Sequence, residues 1–332
     1  MKSLFDETEM KNMKLKNRFV RSATWEGLAD EKGYPTEEIL DTYRKLADGG
    51  IGLIITSYAH ITKEYPAAKG MLGIYDDSFI DVYKKLTDDV HKRGSAIMMQ
   101  IVYGGSSSSI KYPNGEVLGP SAIPDLKTGV VPKEMTQEDI DYIVDSFKNA
   151  AIRVKKAGFD GVQIHCAHGF LLSKFLDPYH NRRRDRYGGS IEKSARIIIE
   201  VYKAIREAVG DDFHIGIKIN STDGRINGAD FGVCRYTVDI LDRLGLDSAE
   251  ISGGNFREFK DEESYYKDYA DYISSETNCP ILLVGGNRTV KNMNNILNST
   301  DIEYFSLSRP LISEPDLINK YEENNDYIPK CL

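Results

Sequence analysis

The chain has 332 residues, a net charge of −8 and a pI near 5.4, a balance that disfavours generic binding to nucleic acid or an acidic membrane. Hydrophobic residues make up 41% and charged residues 28%, ordinary for a soluble globular protein with a sizeable core. Cys166, Cys234, Cys279 and Cys331 are scattered without a CxxC, which argues against a disulfide framework and for a reducing cytoplasm; MKSLFDETEM has no apolar signal core, and no apolar run is long enough to span a bilayer.

In chain order, KLKNRFVRSATW (14–25) predicts a strand centred on Phe19 to Ala23, and Ile39, Leu40, Tyr43 and Leu46 follow at helical spacing until Gly49 and Gly50. Ile51 to Ser57 is a buried strand; Phe79, Tyr83, Leu86 and Val90 form a helix face ended by Gly94; Ala96 to Val102 is the third strand. Residues 103 to 135, rich in Gly, Pro and Ser, read as a long excursion loop. Thr136 and Asp139 resemble a capping box, opening a helix with Ile140, Ile143, Phe147, Ala151 and Val154 on one face and Gly158 as its terminator.

The strand Gly161 to Ile164 then runs into His165 and His168, an apolar patch at Phe170, Leu171, Leu172 and Phe175, and the basic loop Arg182 to Gly189. Ser190 is placed to cap a helix carrying Ile197, Val201 and Ile205. Strands are expected at His214 to Ile219, Asp247 to Ile251, Pro280 to Val284 and Ile302 to Leu307, with helices around Val238 to Leu244, Tyr269 to Ile273 and Val290 to Leu297, and a last one opened by Arg309 and Pro310. Eight buried strands, each followed by a helix, predict a single (β/α)8 TIM barrel over residues 1–332 with long loops at its C-terminal face. A doubly wound sheet is the competing architecture, but no GxGxxG opens a helix after a strand.

Barrel active sites lie at the C-terminal strand ends. Those ends carry Thr24, Ser57, Gln100, His165 and His168, Lys218, Ser252-Gly253-Gly254, Gly285-Gly286 and Ser308-Arg309. The bland alternative is that these are polar loop starts. Gly285-Gly286 and Ser308-Arg309 follow strands seven and eight, where bare amides and a guanidinium suit a phosphate; a turn plus a surface Arg is the simpler reading. His165 and His168 are open to three readings: metal ligands, structural histidines, or hydrogen-bond donors to a substrate oxyanion. Zinc usually takes three protein ligands, and no carboxylate stands at the other strand ends, so no metal is expected.

LKNRFVRSAT, Gln100, HCAHGFLLSKFLDP, NRRRDRYGGS, KINSTDG and VGGNRT…YFSLSRPLI resemble the old yellow enzyme family of NAD(P)H:flavin oxidoreductases, over residues 3 to 322. The resemblance implies a (β/α)8 barrel holding FMN noncovalently at its mouth, with NADH or NADPH as reductant. It implies Ala23 and Thr24 against the flavin ring, Ser57 near it, Gln100 on the pyrimidine edge and Lys218 beside N1 and the C2 oxygen. Gly285, Gly286, Ser308 and Arg309 would hold the phosphate. His165 and His168 would hold the carbonyl oxygen of an activated alkene as it takes hydride.

The sequence departs from this pattern. Phe170 stands where the family usually has a proton-donating Tyr, and Tyr103 stands after Gln100 where a His is common; Tyr103 is the expected proton source, with a stacking or packing role as its alternative. Without a proton on carbon, quinone or nitro acceptors would outrun simple enones. Lone Cys331 predicts no iron–sulfur cluster. The expected partner is a small-molecule substrate, in the cytoplasm, with no nucleic acid and no membrane; a homo-oligomer is left open. Two other readings share the phosphate site: a flavin-free lyase or isomerase acting on a phosphorylated substrate, and a flavin-binding diaphorase or sensor without ene-reduction.

Overall fold

The apolar runs form parallel strands that pair in chain order: β1 (Phe19–Arg21), β2 (Leu53–Ile55), β3 (Ala96–Val102), β4 (Gly161–Cys166), β5 (His214–Asn220), β6 (Ser248–Ser252), β7 (Ile281–Val284) and β8 (Tyr304–Leu307). β8 pairs with β1, so the sheet closes into a (β/α)8 barrel. The structure is a computed structural model, and it describes residues 1–254, 259 and 262–331. Strands covered on both faces read as continuous apolar runs, which is why AIMMQIV and ILLV were legible without alternation.

Around the barrel lie α1 (Glu37–Asp48), α2 (Phe79–His91), α3 (Gln137–Lys156), α4 (Arg196–Val209), α5 (Phe231–Arg243), α6 (Lys267–Glu276), α7 (Val290–Ser299) and α8 (Leu317–Glu323). Each turns an apolar stripe inward; α1 buries Ile39, Tyr43 and Leu46. The capping box of α3 is complete: Asp139 N–H donates to Thr136 Oγ1 (3.2 Å) and Thr136 N–H to Asp139 Oδ2 (2.8 Å). Gly158 follows the helix at φ +83°, and a Cβ there would stand 2.9 Å from Thr87 Oγ1.

Some boundaries move. β1 ends at Arg21, so Ser22 and Ala23 belong to the mouth, whereas β4 runs on to Cys166 and takes His165 into the strand. Ser190 caps only the short helix Ile191–Ser194, and α4 begins separately at Arg196. Arg309 and Pro310 open the short helix Arg309–Ser313 ahead of α8. The 103–135 excursion contains a 3₁₀ turn, Gly105–Ser107, and a two-stranded ribbon, Leu118–Gly119 with Lys133–Glu134. The polar loop expected after β6 falls partly outside the described residues.

Inside the barrel the side chains form two kinds of layer. Val20, Leu53, Ala96, Met98, Leu282 and Tyr304 make an apolar floor, and Met10, Met13 and Leu15 of the hairpin Thr8–Met10/Met13–Leu15 pack against it. Two residues further along the strands, on the same face, come Ser22, Gln100, Gln163, Lys218, Glu250 and Ser306, all buried and all polar.

Candidate active site

Above that polar layer a cavity of about 300 Å³ opens at the C-terminal ends of the strands. One end is glycine-lined. Gly285 and Gly286 have φ of +106° and +71°, and a Cβ at either would fall within 2.6 Å of Tyr265 or the Glu262 carbonyl, so only bare backbone fits. Arg288, Ser308 and Arg309 line the same end. Thr24 Oγ1 and Ser308 Oγ share a hydrogen bond of 2.8 Å, which joins the ends of β1 and β8. Arg21 also donates to Thr24. Two guanidinium groups beside a glycine pair suit a phosphate.

The floor of the cavity is charged and directional. Lys218 Nζ donates to Ser22 Oγ (2.7 Å) and pairs with Glu250 Oε2 (3.2 Å). Gln163 Nε2 donates to the same Glu250 oxygen (3.1 Å), and Gln100 Nε2 donates to Gln163 Oε1 (2.7 Å). Glu250 Oε1 and Ser306 Oγ are buried polar atoms without a partner among the described residues, and Ser306 lines the cavity. An anionic tail at the glycine end, a ring with a polar edge over Lys218 and a group able to satisfy Ser306 would match these walls; FMN has that form.

The histidine pair stands at the side. The rings of His165 and His168 are 5.3 Å apart and perpendicular. His168 adopts φ +61°, a left-handed backbone that is uncommon without glycine, and its N–H donates to Asn220 Oδ1 (3.3 Å). Burial, with Lys218 adding to it, pushes the His168 imidazole down to about 3. Burial, then His168 and Lys218, also pushes His165 well below the ordinary histidine value, so both rings are neutral at neutral pH. Ala167 N–H donates to His165 Nδ1 (3.3 Å), which leaves the proton on Nε2 as a donor. His168 Nε2 shares a hydrogen bond with Ser252 Oγ (2.9 Å).

Ala23, His168, Lys218, Gly285, Gly286, Ser308 and Arg309 therefore line one cavity. Thr24 joins it through Ser308, His165 through His168, and Gln100 through the amide chain. Ser57 is buried with its N–H on Tyr43 Oη (2.9 Å), outside the lining residues. Tyr103 is 4% exposed and its hydroxyl accepts from Leu118 N–H (3.3 Å), which places it in the packing under the excursion. The phenol beside the histidines is Tyr58: its ring is 5.5 Å from Phe170 and 6.3 Å from His165. Tyr58, Arg288, Tyr265, Gln163 and Glu250 were not picked out from the sequence. Gln163 and Glu250 did carry a signal, as polar residues inside the apolar strand bodies GVQIHC and SAEIS.

Residues 3–327 match the model of the NADH:flavin oxidoreductase / NADH oxidase family. The chain is 32% identical to an NADPH dehydrogenase of Geobacillus thermodenitrificans, over 94% of this chain and 91% of that protein. It is 30% identical to an NADH oxidase of Thermoanaerobacter brockii over 99% of this chain, but spans only about half (52%) of that longer protein. Among solved structures, an old yellow enzyme homologue from Zymomonas mobilis superposes with a TM-score of 0.84 at 25% identity, covering 98% of this chain and 94% of that one. A 2-naphthoyl-CoA reductase shares the fold with a TM-score of 0.91 at 24% identity, over 97% of this chain and 52% of that one. Among the described residues no helix is long and apolar enough to cross a membrane.

Proposed function

The chain belongs to the NADH:flavin oxidoreductase / NADH oxidase family, the old yellow enzyme family its motifs resemble, and from that premise we propose that it is an FMN-dependent NAD(P)H oxidoreductase passing hydride to an electron-poor alkene, quinone or nitro compound. The observation that carries this reading is one cavity with Gly285, Gly286, Arg288 and Arg309 at one end, Lys218 in its floor and His168 at its side. Ala23, Thr24, Gln100 and Lys218 would hold the flavin ring, and Gly285, Gly286, Ser308 and Arg309 its phosphate; Ser57, expected near the ring, lies outside the cavity lining. Bound FMN supplies two-electron hydride chemistry, with NADH or NADPH as its reductant.

The chain's own part is electrostatic. His165 Nε2–H and a ring N–H of His168 would donate to the acceptor's carbonyl oxygen. Because both imidazoles are neutral, they are preorganised dipoles that strengthen as charge develops on that oxygen. Phe170 offers no proton, and Tyr103 is buried in the packing under the excursion, its oxygen accepting from Leu118 N–H. Tyr58, pushed up to about 12 by burial and by Glu26, keeps its proton at neutral pH and has its ring beside His165, which supports assigning it the protonation of carbon.

The test is the absorbance spectrum of the purified protein, followed by NADH and NADPH reduction and reoxidation with cyclohexenone, a quinone and a nitroarene. A yellow protein with about one FMN per chain that reoxidises with these acceptors is expected. A colourless protein that FMN cannot reconstitute would leave the flavin-free alternative standing.

A further inference from the structure

We propose that Glu250 is a positioning residue for the flavin ring. It decides which end of the Gln100 amide is presented to the cofactor, and it offsets the charge of Lys218, holding the flavin's reduction potential below the value Lys218 alone would set. This rests on the FMN reading above and goes beyond it by assigning two residues, Glu250 and Gln163, that do not line the cavity.

The argument is one of donors and acceptors. A carboxylate only accepts hydrogen bonds. Gln163 must therefore turn its NH₂ to Glu250 (3.1 Å). Its carbonyl oxygen is then the end left for Gln100, and Gln100 meets it with NH₂ (2.7 Å). The Gln100 carbonyl oxygen is thus the end to which no described residue donates. Direction passes from Glu250 across three strands, β6 to β4 to β3, with no choice at any step. An acceptor presented by Gln100 matches a ring N–H.

The charge argument starts from the same carboxylate. Glu250 is 0% exposed, and one of its oxygens has no partner among the described residues. Burying such a group is unfavourable, and an apolar residue of similar size would pack as well. Its ion-pair partner is Lys218, at 3.2 Å with both side chains buried. Lys218 donates one N–H to Ser22 and pairs with Glu250, and its ammonium retains donor capacity for a ligand in the cavity it lines. Reduced flavin is anionic near N1; a neighbouring cation favours it and a neighbouring carboxylate disfavours it.

The experiment measures the midpoint potential and FMN dissociation constant of the flavoprotein for wild type, Glu250→Gln, Glu250→Asp and Gln163→Met. Glu250→Gln should shift the equilibrium tenfold or more toward reduced FMN, a rise of at least about 30 mV for a two-electron couple. Glu250→Asp, which keeps the charge, should stay within about threefold of wild type by the same conversion. A Glu250→Gln potential equal to or below wild type overturns the proposal. Gln163→Met cuts the relay and leaves the ion pair, so FMN should bind roughly tenfold more weakly with a smaller change in potential. Unchanged affinity there overturns the proposal even if Glu250→Gln does not fold. Wild-type protein that binds no FMN removes the functional reading itself, and does so before any variant is compared.

Discussion

The histidine corner turns on which phenol faces it. Tyr58 packs on Phe170 and His165, whereas Tyr103 is buried in the core under the excursion. A positioned acid typically contributes about 10²–10⁴-fold to proton transfer. Tyr58→Phe should therefore slow single-turnover reoxidation by cyclohexenone by at least about tenfold while leaving quinone reoxidation, which needs no proton on carbon, near wild type. Tyr103→Phe should leave both rates unchanged. Equal slowing of both acceptors by Tyr58→Phe would mean that the ring shapes the pocket and supplies no proton. Tyr58 escaped the sequence because its neighbours lie more than a hundred positions away, and nothing in ITSYAHI marks it. That Gly285, Gly286 and Arg309 line the cavity was legible because they follow β7 and β8 in a short local pattern.

At the scale of elements, the excursion is clamped by one buried ion pair. Lys174, 2% exposed on the short helix Leu171–Leu176, meets Asp125, 4% exposed, and also donates to Ser106 Oγ (2.6 Å). Asp125 Oδ1 accepts the N–H groups of Lys127 and Thr128 (2.8 Å each), and Ser107 Oγ bridges Asp125 to the Gly169 carbonyl. Removing one partner leaves the other charge buried, which costs about 3–5 kcal/mol. Asp125→Ala should lower urea-unfolding stability by that amount. Lys133→Ala, breaking an exposed pair with Asp139, should cost no more than about 1 kcal/mol. Comparable losses for the two variants would refute the clamp.

The same clamp marks where sequence reading stopped. Strands covered on both faces announce themselves as apolar runs, and α3 announces itself by its capping box. Ribbon strands of two residues carry no periodicity, and the partners of Asp125 and Ser107 lie about fifty and sixty residues away. The excursion was therefore visible as a loop and its inner order was not.

For the whole molecule, the buried histidines set an acid limit. Burial lowers His168 to about 3 and His214 to about 4, and places His165 well below its ordinary value. The unfolded chain takes up these protons near pH 6.5 and the folded chain does not, so stability is complete above about 6.5 and is lost as pH falls toward the folded values. Between pH 7.5 and 5.5 His168 and His214 each cost about 1.4 kcal/mol, and His165 acts in the same direction. Glu26, raised to about 7 by burial, binds its proton in the folded state and offsets about 2 kcal/mol over that interval. A net loss of at least about 1 kcal/mol is expected from urea midpoints at the two pH values; a rise in stability at pH 5.5 would contradict it.

The hairpin beneath the barrel has a kinetic consequence. With Met10, Met13 and Leu15 stoppering the lower end, the described residues leave the mouth as the open side from which solvent deuterium can reach the Gln100–Gln163–Glu250 chain. Whatever occupies the mouth then sets the clock for exchange of the glutamine NH₂ protons. NMR exchange of those protons should slow in proportion to the occupant's residence time, and Met10→Ala, by opening the stopper, should uncouple the two. The protein's own buried amides would become the timer for how long its cofactor stays.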